Sequence, residues 1–414
     1  MIHWITEYLG TSSWDQVDRS LDANLMDVRD LVDKSGNAPA AVKAKIDEAL
    51  NYLRKGEKVV ICCDYGMSRS NAIAAGILSL YEGIDVNEAI RRVTDATNET
   101  GIKLEVLSAM REALGAKVRE PRMLEEKREI LVTGAFGFIG RRLVHLMGAE
   151  YRVVSPTRQE IDLLKDAIKL DLLVKEHGVD ILIHLANPRV HTTNDAMGQT
   201  LVMLKNVLDV CAENRLFLIY LSNWEIYAGY KAQELRGDES LVPCPDGTYG
   251  QTKFLCEALI EHYGQHKGLS YTVLRSSPVY GPGSDRPRFI WNFLEKARSN
   301  EDIVAHRYIN GYPKLDLLHV DDLCRAILAA AGCRLHCSMN LGTGVGVSTT
   351  EVAQLIVELV NSRSGIRHID IEAFTSNIVM VIQRARQVLN WQPAIDFTNG
   401  LTMLLNKQKQ VSHV

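Results

Sequence analysis

Ile130-Leu131-Val132-Thr133-Gly134-Ala135-Phe136-Gly137-Phe138-Ile139-Gly140 is the stretch from which the rest of this 414-residue chain is read. An apolar run of strand type passes into glycines spaced three apart. Arg141-Arg142-Leu143-Val144-His145-Leu146-Met147 follows, with its apolar residues at helical intervals. The order is strand, tight turn, helix. Such a turn lets the backbone approach a pyrophosphate closely and aims the amide-rich helix N-terminus at its charge. The spacing is Gly-x-x-Gly-x-x-Gly, and a turn of this kind can also use glycine for packing alone, so the segments downstream decide for a nucleotide.

Beyond the turn the alternation continues, with strands over 151–155, 180–185 and 216–221 and helices around 164–176 and over 196–213. Strands separated by helices of this length predict right-handed crossovers and an α/β fold, a Rossmann-type doubly wound parallel sheet that binds its ligand at the strand C-terminal ends. In the loop after the second strand, an NAD site carries an acidic side chain for the ribose hydroxyls, whereas a 2'-phosphate asks for arginine. Here the loop reads Ser155-Pro156-Thr157-Arg158, and Arg141 and Arg142 follow the last glycine. NADP(H) is therefore preferred, and Asp162 keeps NAD(H) possible. Further on, Tyr249-Gly250-Gln251-Thr252-Lys253 lies in a helix running to about residue 266. A spacing of four puts Tyr249 and Lys253 on one face, where the ammonium lowers the tyrosine pKa and fits Tyr249 to shuttle a proton.

The glycine turn is followed in order by Ser222-Asn223-Trp224-Glu225-Ile226-Tyr227, the Tyr249/Lys253 pair, Arg275-Ser276-Ser277-Pro278-Val279-Tyr280-Gly281-Pro282-Gly283 and Leu318-His319-Val320-Asp321-Asp322-Leu323. Over roughly residues 129 to 405 this constellation resembles the extended short-chain dehydrogenase/reductases, the epimerase/dehydratase group that acts mainly on nucleotide sugars. The resemblance implies that Tyr249 exchanges a proton with a sugar hydroxyl or carbonyl while the nicotinamide exchanges hydride at the same carbon, and that Lys253 also holds the nicotinamide ribose. It implies cofactor contacts from Gly134, Phe136, Gly137, Phe138, Ile139, Gly140, Arg158, Asp162, Leu163, Leu185, Ala186 and Val279, and a homodimer as a common assembly. Three departures stand out. The family's serine or threonine partner of the tyrosine falls on Asn223, which can still hydrogen-bond the reacting oxygen. The acidic pair of the dehydratases reads Trp224-Glu225, which disfavours elimination and leaves Glu225 as a solvated side chain. The arginine that commonly holds a diphosphate matches Leu315, so either that contact falls to Lys314, Arg286 or Arg288, or the substrate is not a nucleotide sugar. His319 and Asp321 read as structural. The C-terminal part supplies helices over 349–361 and 379–391 to a small substrate lobe.

Upstream, a helix is expected from residue 40 to 53, with Val42, Ile46, Ala49, Leu50 and Leu53 on one face. A short buried strand over 58–62 then delivers the chain into Cys63-Asp64-Tyr65-Gly66-Met67-Ser68-Arg69-Ser70 and a helix over 71–80. A cysteine and an arginine five residues apart, between a strand and a helix N-terminus, can wrap backbone N–H groups around a phosphate. Helix dipole, loop amides and the Arg69 guanidinium lower the Cys63 pKa and make it a nucleophile, and Ser70 can donate to the departing thiolate. Arg69 can hold two phosphoryl oxygens at once.

This loop resembles that of the cysteine-dependent dual-specificity and tyrosine phosphatases over roughly residues 1 to 115. The resemblance implies a phosphocysteine on Cys63 and a leaving-group acid, by position Asp33, with Asp30 the second choice. Cys62 stands where that family has histidine, and reads as a buried strand residue or as a thiol able to trap an oxidised Cys63. No lysine lies in the loop, and Asp64 favours a monophosphate ligand.

Composition frames the two halves. The length exceeds one core, and the charge-dense stretch with Pro121 marks a boundary: a phosphatase-like domain over 1–118, a linker over 119–128 and a nucleotide-binding domain with its lobe over 129–414. A net charge of −4 argues against a nucleic-acid partner. With no apolar run of bilayer length and no signal-peptide pattern at the start, a cytoplasmic protein without membrane attachment is expected. No metal site is expected. The leading expectation is a bifunctional enzyme, a phosphatase acting on a phosphate monoester or phosphoprotein, fused to an NAD(P)-dependent nucleotide-sugar reductase or epimerase. The alternative is a phosphatase governed by a catalytically weak, NADP(H)-sensing second domain.

Overall fold

A computed structural model describes residues 2–115, 128–148, 150–284 and 286–411. The linker expected over 119–128 lies, Arg128 apart, outside the described residues. The chain sorts into two units, Met1–Glu126 with Ile161–Glu176, and Lys127–Glu160 with His177–Val414.

The first unit is built on a four-stranded sheet in the order His3–Trp4, Leu9–Ser13, Val59–Cys63, Asn24–Asp27. The first pair is antiparallel and the rest are parallel. Val59–Cys63 lies between two partners and is buried throughout, which is why its sequence is continuously apolar rather than alternating. Helix Pro39–Arg54 buries Val42, Ile46, Ala49, Leu50 and Leu53, the same five residues that share a face in the sequence. Helix Arg69–Glu82 begins two residues earlier than expected, because the Ser68 carbonyl accepts from Ala72 and draws Arg69 and Ser70 into the first turn. Gly76 lets the two helices meet, since a Cβ there would stand 2.7 Å from Ile46 Cδ1. Helices Val86–Thr97 and Leu104–Ala113 complete the N-terminal part. The segment Ile161–Glu176 joins this unit although the sequence assigns it to the nucleotide-binding domain. It carries most of helix Ala167–His177, on which the fully buried Asp171 accepts from Arg111 at 2.9 Å.

In the second unit six strands run parallel in the order Cys337–Leu341, Ser270–Ser276, Phe217–Asn223, Ile181–His184, Glu129–Thr133, Arg152–Val154. The register pairs Thr133 with His184 and Asn223 with Ser276, so these residues line the C-terminal edge of the sheet. A smaller mixed sheet follows, ordered Val347–Ser348, Lys314–Leu315, Ile378–Met380, Leu235–Gly237. It corrects the helix expected over 379–391: Ile378-Val379-Met380 is a buried strand, and the helix runs only from Gln383 to Leu389. An apolar run of three residues suits a strand between two partners better than a helix with one wet face. A separate apolar cluster around Leu294, Leu317, Ile356 and Leu401 forms the interior of the lobe. Among the described residues no helix is long and apolar enough to cross a membrane.

Candidate functional site

The glycine turn has the geometry of a cradle. Gly134 has φ +74°, and a Cβ there would lie 2.7 Å from the Ala186 nitrogen and 2.8 Å from the Leu185 carbonyl carbon. A Cβ on Gly140 would stand 2.2 Å from the Gly134 carbonyl oxygen. Both positions require glycine, the first for conformation and the second for space. Gly137 caps helix Phe138–Met147, whose free amides face the end of the sheet. Phe136 is exposed, while Phe138 and Ile139 are half-buried. Along the neighbouring strand ends Ser155 Oγ, Asn187 Oδ1 and Ser277 Oγ are buried without a hydrogen-bond partner. A cradle closed to side chains, a helix N-terminus and buried orphan polar atoms fit a dinucleotide. Val279 pairs with Leu318 in a short two-stranded piece.

The arginines expected to favour a 2'-phosphate separate. Arg142 is taken by Asp321, Nε to Oδ1 at 2.5 Å and Nη2 to Oδ2 at 2.8 Å, whereas Arg141 and Arg158 are exposed. Asp162, in the segment grouped with the first unit, caps its own turn by accepting from the Leu164 amide at 3.2 Å, and Leu163 beside it is buried. Lys314 is held by Glu234 at 2.9 Å.

At the far end of the edge, Asn223 caps the 3-10 turn Trp224–Tyr227 by accepting from the Glu225 amide at 2.7 Å, and its side chain also hydrogen-bonds Tyr249. Helix Gly247–Lys267 packs against this turn at Gly250, where a Cβ would be 2.6 Å from the Glu225 carbonyl oxygen. Lys253 is buried and donates to Leu221 O at 2.8 Å and Tyr220 Oη at 3.1 Å, and its ammonium stands 5.6 Å from the Tyr249 ring centroid. The expectation that Lys253 lowers the tyrosine pKa is corrected here. Burial pushes the Tyr249 hydroxyl up, the Glu225 carboxylate adds to this, and Arg286 and Asn223 pull the other way without reversing it. The ammonium faces the ring and spends its hydrogen bonds elsewhere.

Glu225 is not a solvated side chain. Burial raises its carboxyl to about 7 against the opposing Lys253 charge. Its place two residues after Asn223 was the available signal, but sequence alone does not show which way the turn aims it. His191 was also missed: its ring lies 4.3 Å from that of Tyr249, and its Nε2 is 3.3 Å from Arg286 Nη1. Beneath the edge, Arg275 pairs with Glu257 at 2.7 Å and donates to Tyr227 Oη at 2.6 Å, a buried network bracing strand against helix.

In the first unit, strand Val59–Cys63 places the Cys63 sulfur 3.3 Å from Ser70 Oγ and 3.2 Å from the Gly66 nitrogen, whose N–H donates to it. Burial pushes the thiol up, but the Ser70 hydroxyl and the amides of Ser70, Gly66 and Tyr65 outweigh it, so the net shift is downward. Gly66 has φ +74°, and a Cβ would meet the Ser13 nitrogen at 2.6 Å. Arg69 is buried and bound to the Leu31 carbonyl at 2.9 Å and to Asp64. Asp33 is partly buried, and its Oδ1 is shielded without a partner, whereas Asp30 pairs with Lys45 at 3.0 Å. Cys62 is directed to the Val60 carbonyl in an apolar cluster with Val17 and Val60, and burial raises its thiol to about 11.

The NAD dependent epimerase/dehydratase family matches residues 130–336, half of the chain. A UDP-glucuronate 4-epimerase of Thermodesulfobacterium geofontis is 24% identical over 324 residues, 68% of this chain and 96% of that protein. The UDP-glucose 4-epimerase of Thermus thermophilus, solved with NAD, superposes with a TM-score of 0.60 at 22% identity over 68% of this chain and 99% of that one. RMD from Pseudomonas aeruginosa, solved with NADPH, gives 0.61 at 22% identity over 70% of this chain and 100% of that one. With the matched segment containing the cradle, the Asn223 turn and the Tyr249 helix, the chain belongs to the NAD dependent epimerase/dehydratase family.

Proposed function

We propose that the chain is a bifunctional enzyme with a cysteine-dependent phosphatase over 1–118 and an NADP(H)-preferring nucleotide-sugar epimerase or reductase over 129–414. The observation that carries the second activity is the meeting of Asn223, Glu225, Tyr249 and Lys253 beyond a cradle only glycine can form. Gly134, Gly137 and the first turn of helix Phe138–Met147 would hold the pyrophosphate, and the exposed Arg158 a 2'-phosphate. Hydride exchange is the chemistry the bound nicotinamide supplies. Tyr249 gives or takes the proton on the sugar oxygen, Asn223 orients that oxygen, and Lys253 holds the electrostatic balance from beneath the ring. Arg286 beside His191 places a cation near the reacting end, which suits a sugar bearing a carboxylate; the likeness to a UDP-glucuronate 4-epimerase supports that reading.

In the first domain Cys63 attacks phosphorus as the thiolate, the P–O bond to the leaving group breaks, and Asp33 delivers a proton to the departing oxygen. Water then cleaves the S–P bond and returns the thiolate and inorganic phosphate.

The test uses the whole protein, Cys63→Ser and Tyr249→Phe, each with and without NADPH. p-Nitrophenyl phosphate hydrolysis should vanish only in Cys63→Ser. With NADP+ supplied as hydride acceptor, conversion of UDP-glucuronate should fall about 10²- to 10⁴-fold only in Tyr249→Phe. Hydrolysis that survives Cys63→Ser removes the first half of the proposal. NADPH binding that alters hydrolysis, with no turnover of any nucleotide sugar, replaces the second half with a sensor.

A further inference from the structure

The Cys63 loop supplies its own anion to its own arginine. Arg69 Nη1 donates to Leu31 O at 2.9 Å and Arg29 O at 3.3 Å, which fixes the plane of the guanidinium, while Nη2 is ion-paired with Asp64. A carboxylate is a planar two-oxygen acceptor and competes for the donors that phosphoryl oxygens use. Asp64 follows Cys63 directly, and its side chain is 49% exposed against 10% for Arg69, so the acid can swing away and the base cannot. The neighbouring arginine, Arg29, feels the Asp64 charge but is already bound through Nε and Nη2 to Asp27 at 3.0 and 2.8 Å and lies 4.3 Å from the Trp14 ring centroid, so it does not replace Arg69 as a bidentate partner.

On the reading of this loop as a phosphate-ester site, we propose that Asp64 is its specificity-determining residue. It holds Arg69 as an internal anion until a phosphoryl group displaces it. The displaced charge then stays at the rim, where it rejects ligands carrying a second anionic group beside the phosphate and admits monoesters flanked by neutral or cationic groups.

The experiment measures KM for p-nitrophenyl phosphate and inhibition constants for inorganic phosphate and pyrophosphate on the full-length protein, Asp64→Asn, Asp64→Ala and Cys63→Ser. Both Asp64 variants should lower KM and the phosphate constant about fivefold and the pyrophosphate constant several times more, with kcat within about twofold. If Asp64 only braced Arg69, both variants would raise KM and depress kcat, and the proposal would fall. Equal tightening for the two anions would overturn the selectivity. Hydrolysis retained in Cys63→Ser, or neither hydrolysis nor phosphate binding in any form, would instead remove the phosphate-ester reading on which the proposal stands.

Discussion

Glu225 couples the chemistry of the second unit to pH. Burial holds its carboxyl at about 7 although Lys253 opposes the shift, so near neutrality Glu225 is only partly ionised where a solvated glutamate would be fully so. A carboxyl whose folded pKa lies above its unfolded value stabilises the fold below about pH 4.5, and that contribution is lost as pH rises through 7. Glu225→Gln should therefore melt with the unmodified protein at pH 4 and above it at pH 8, by about 1–3 kcal/mol, as followed by thermal unfolding across that range. The same variant should remove an ionisation near 7 from the kcat/KM profile for sugar conversion. An unchanged profile would show that Glu225 does not feel the reaction. Tyr249, held up by burial and by Glu225, keeps its proton near neutrality.

At the scale of elements, the glycine turn is the part least able to change. Gly140→Ala sets a methyl against the Gly134 carbonyl, and the backbone must open. We expect a loss of about 2–4 kcal/mol in denaturant unfolding, together with loss of NADPH fluorescence enhancement. Arg141→Lys, at an exposed position, should leave the unfolding free energy unchanged. The elements themselves were legible: five residues on one helical face gave Pro39–Arg54, and alternation of apolar runs with helical periods gave the parallel sheet. What escaped depends on long-range partners. Strand Ile378–Met380 is a strand because Leu315 and Leu235 flank it, and Arg142 is lost to the cofactor because Asp321, 179 residues away, binds it. Likewise the Tyr249/Lys253 spacing was readable, whereas the direction of the ammonium is set by Tyr220 and Leu221 on another element.

For the whole molecule, the proposed phosphatase and sugar-converting activities rest on different residues, so Cys63→Ser and Tyr249→Phe should each abolish one and leave the other. Strand Val59–Cys63 adds a practical handle. Consecutive residues of a strand face opposite sides, and here the neighbours are a thiol raised to about 11 and one lowered beneath its ordinary value. At neutral pH Cys63 therefore carries the larger thiolate fraction of the two. Brief iodoacetamide treatment should place one adduct, not two, on the tryptic fragment spanning residues 59–69, and mass spectrometry can count it. Two adducts would mean that the strand does not hold its sulfurs apart. A single adduct turns this cysteine pair into an inventory of intact loops, giving the fraction of molecules in a preparation whose strand end is correctly folded.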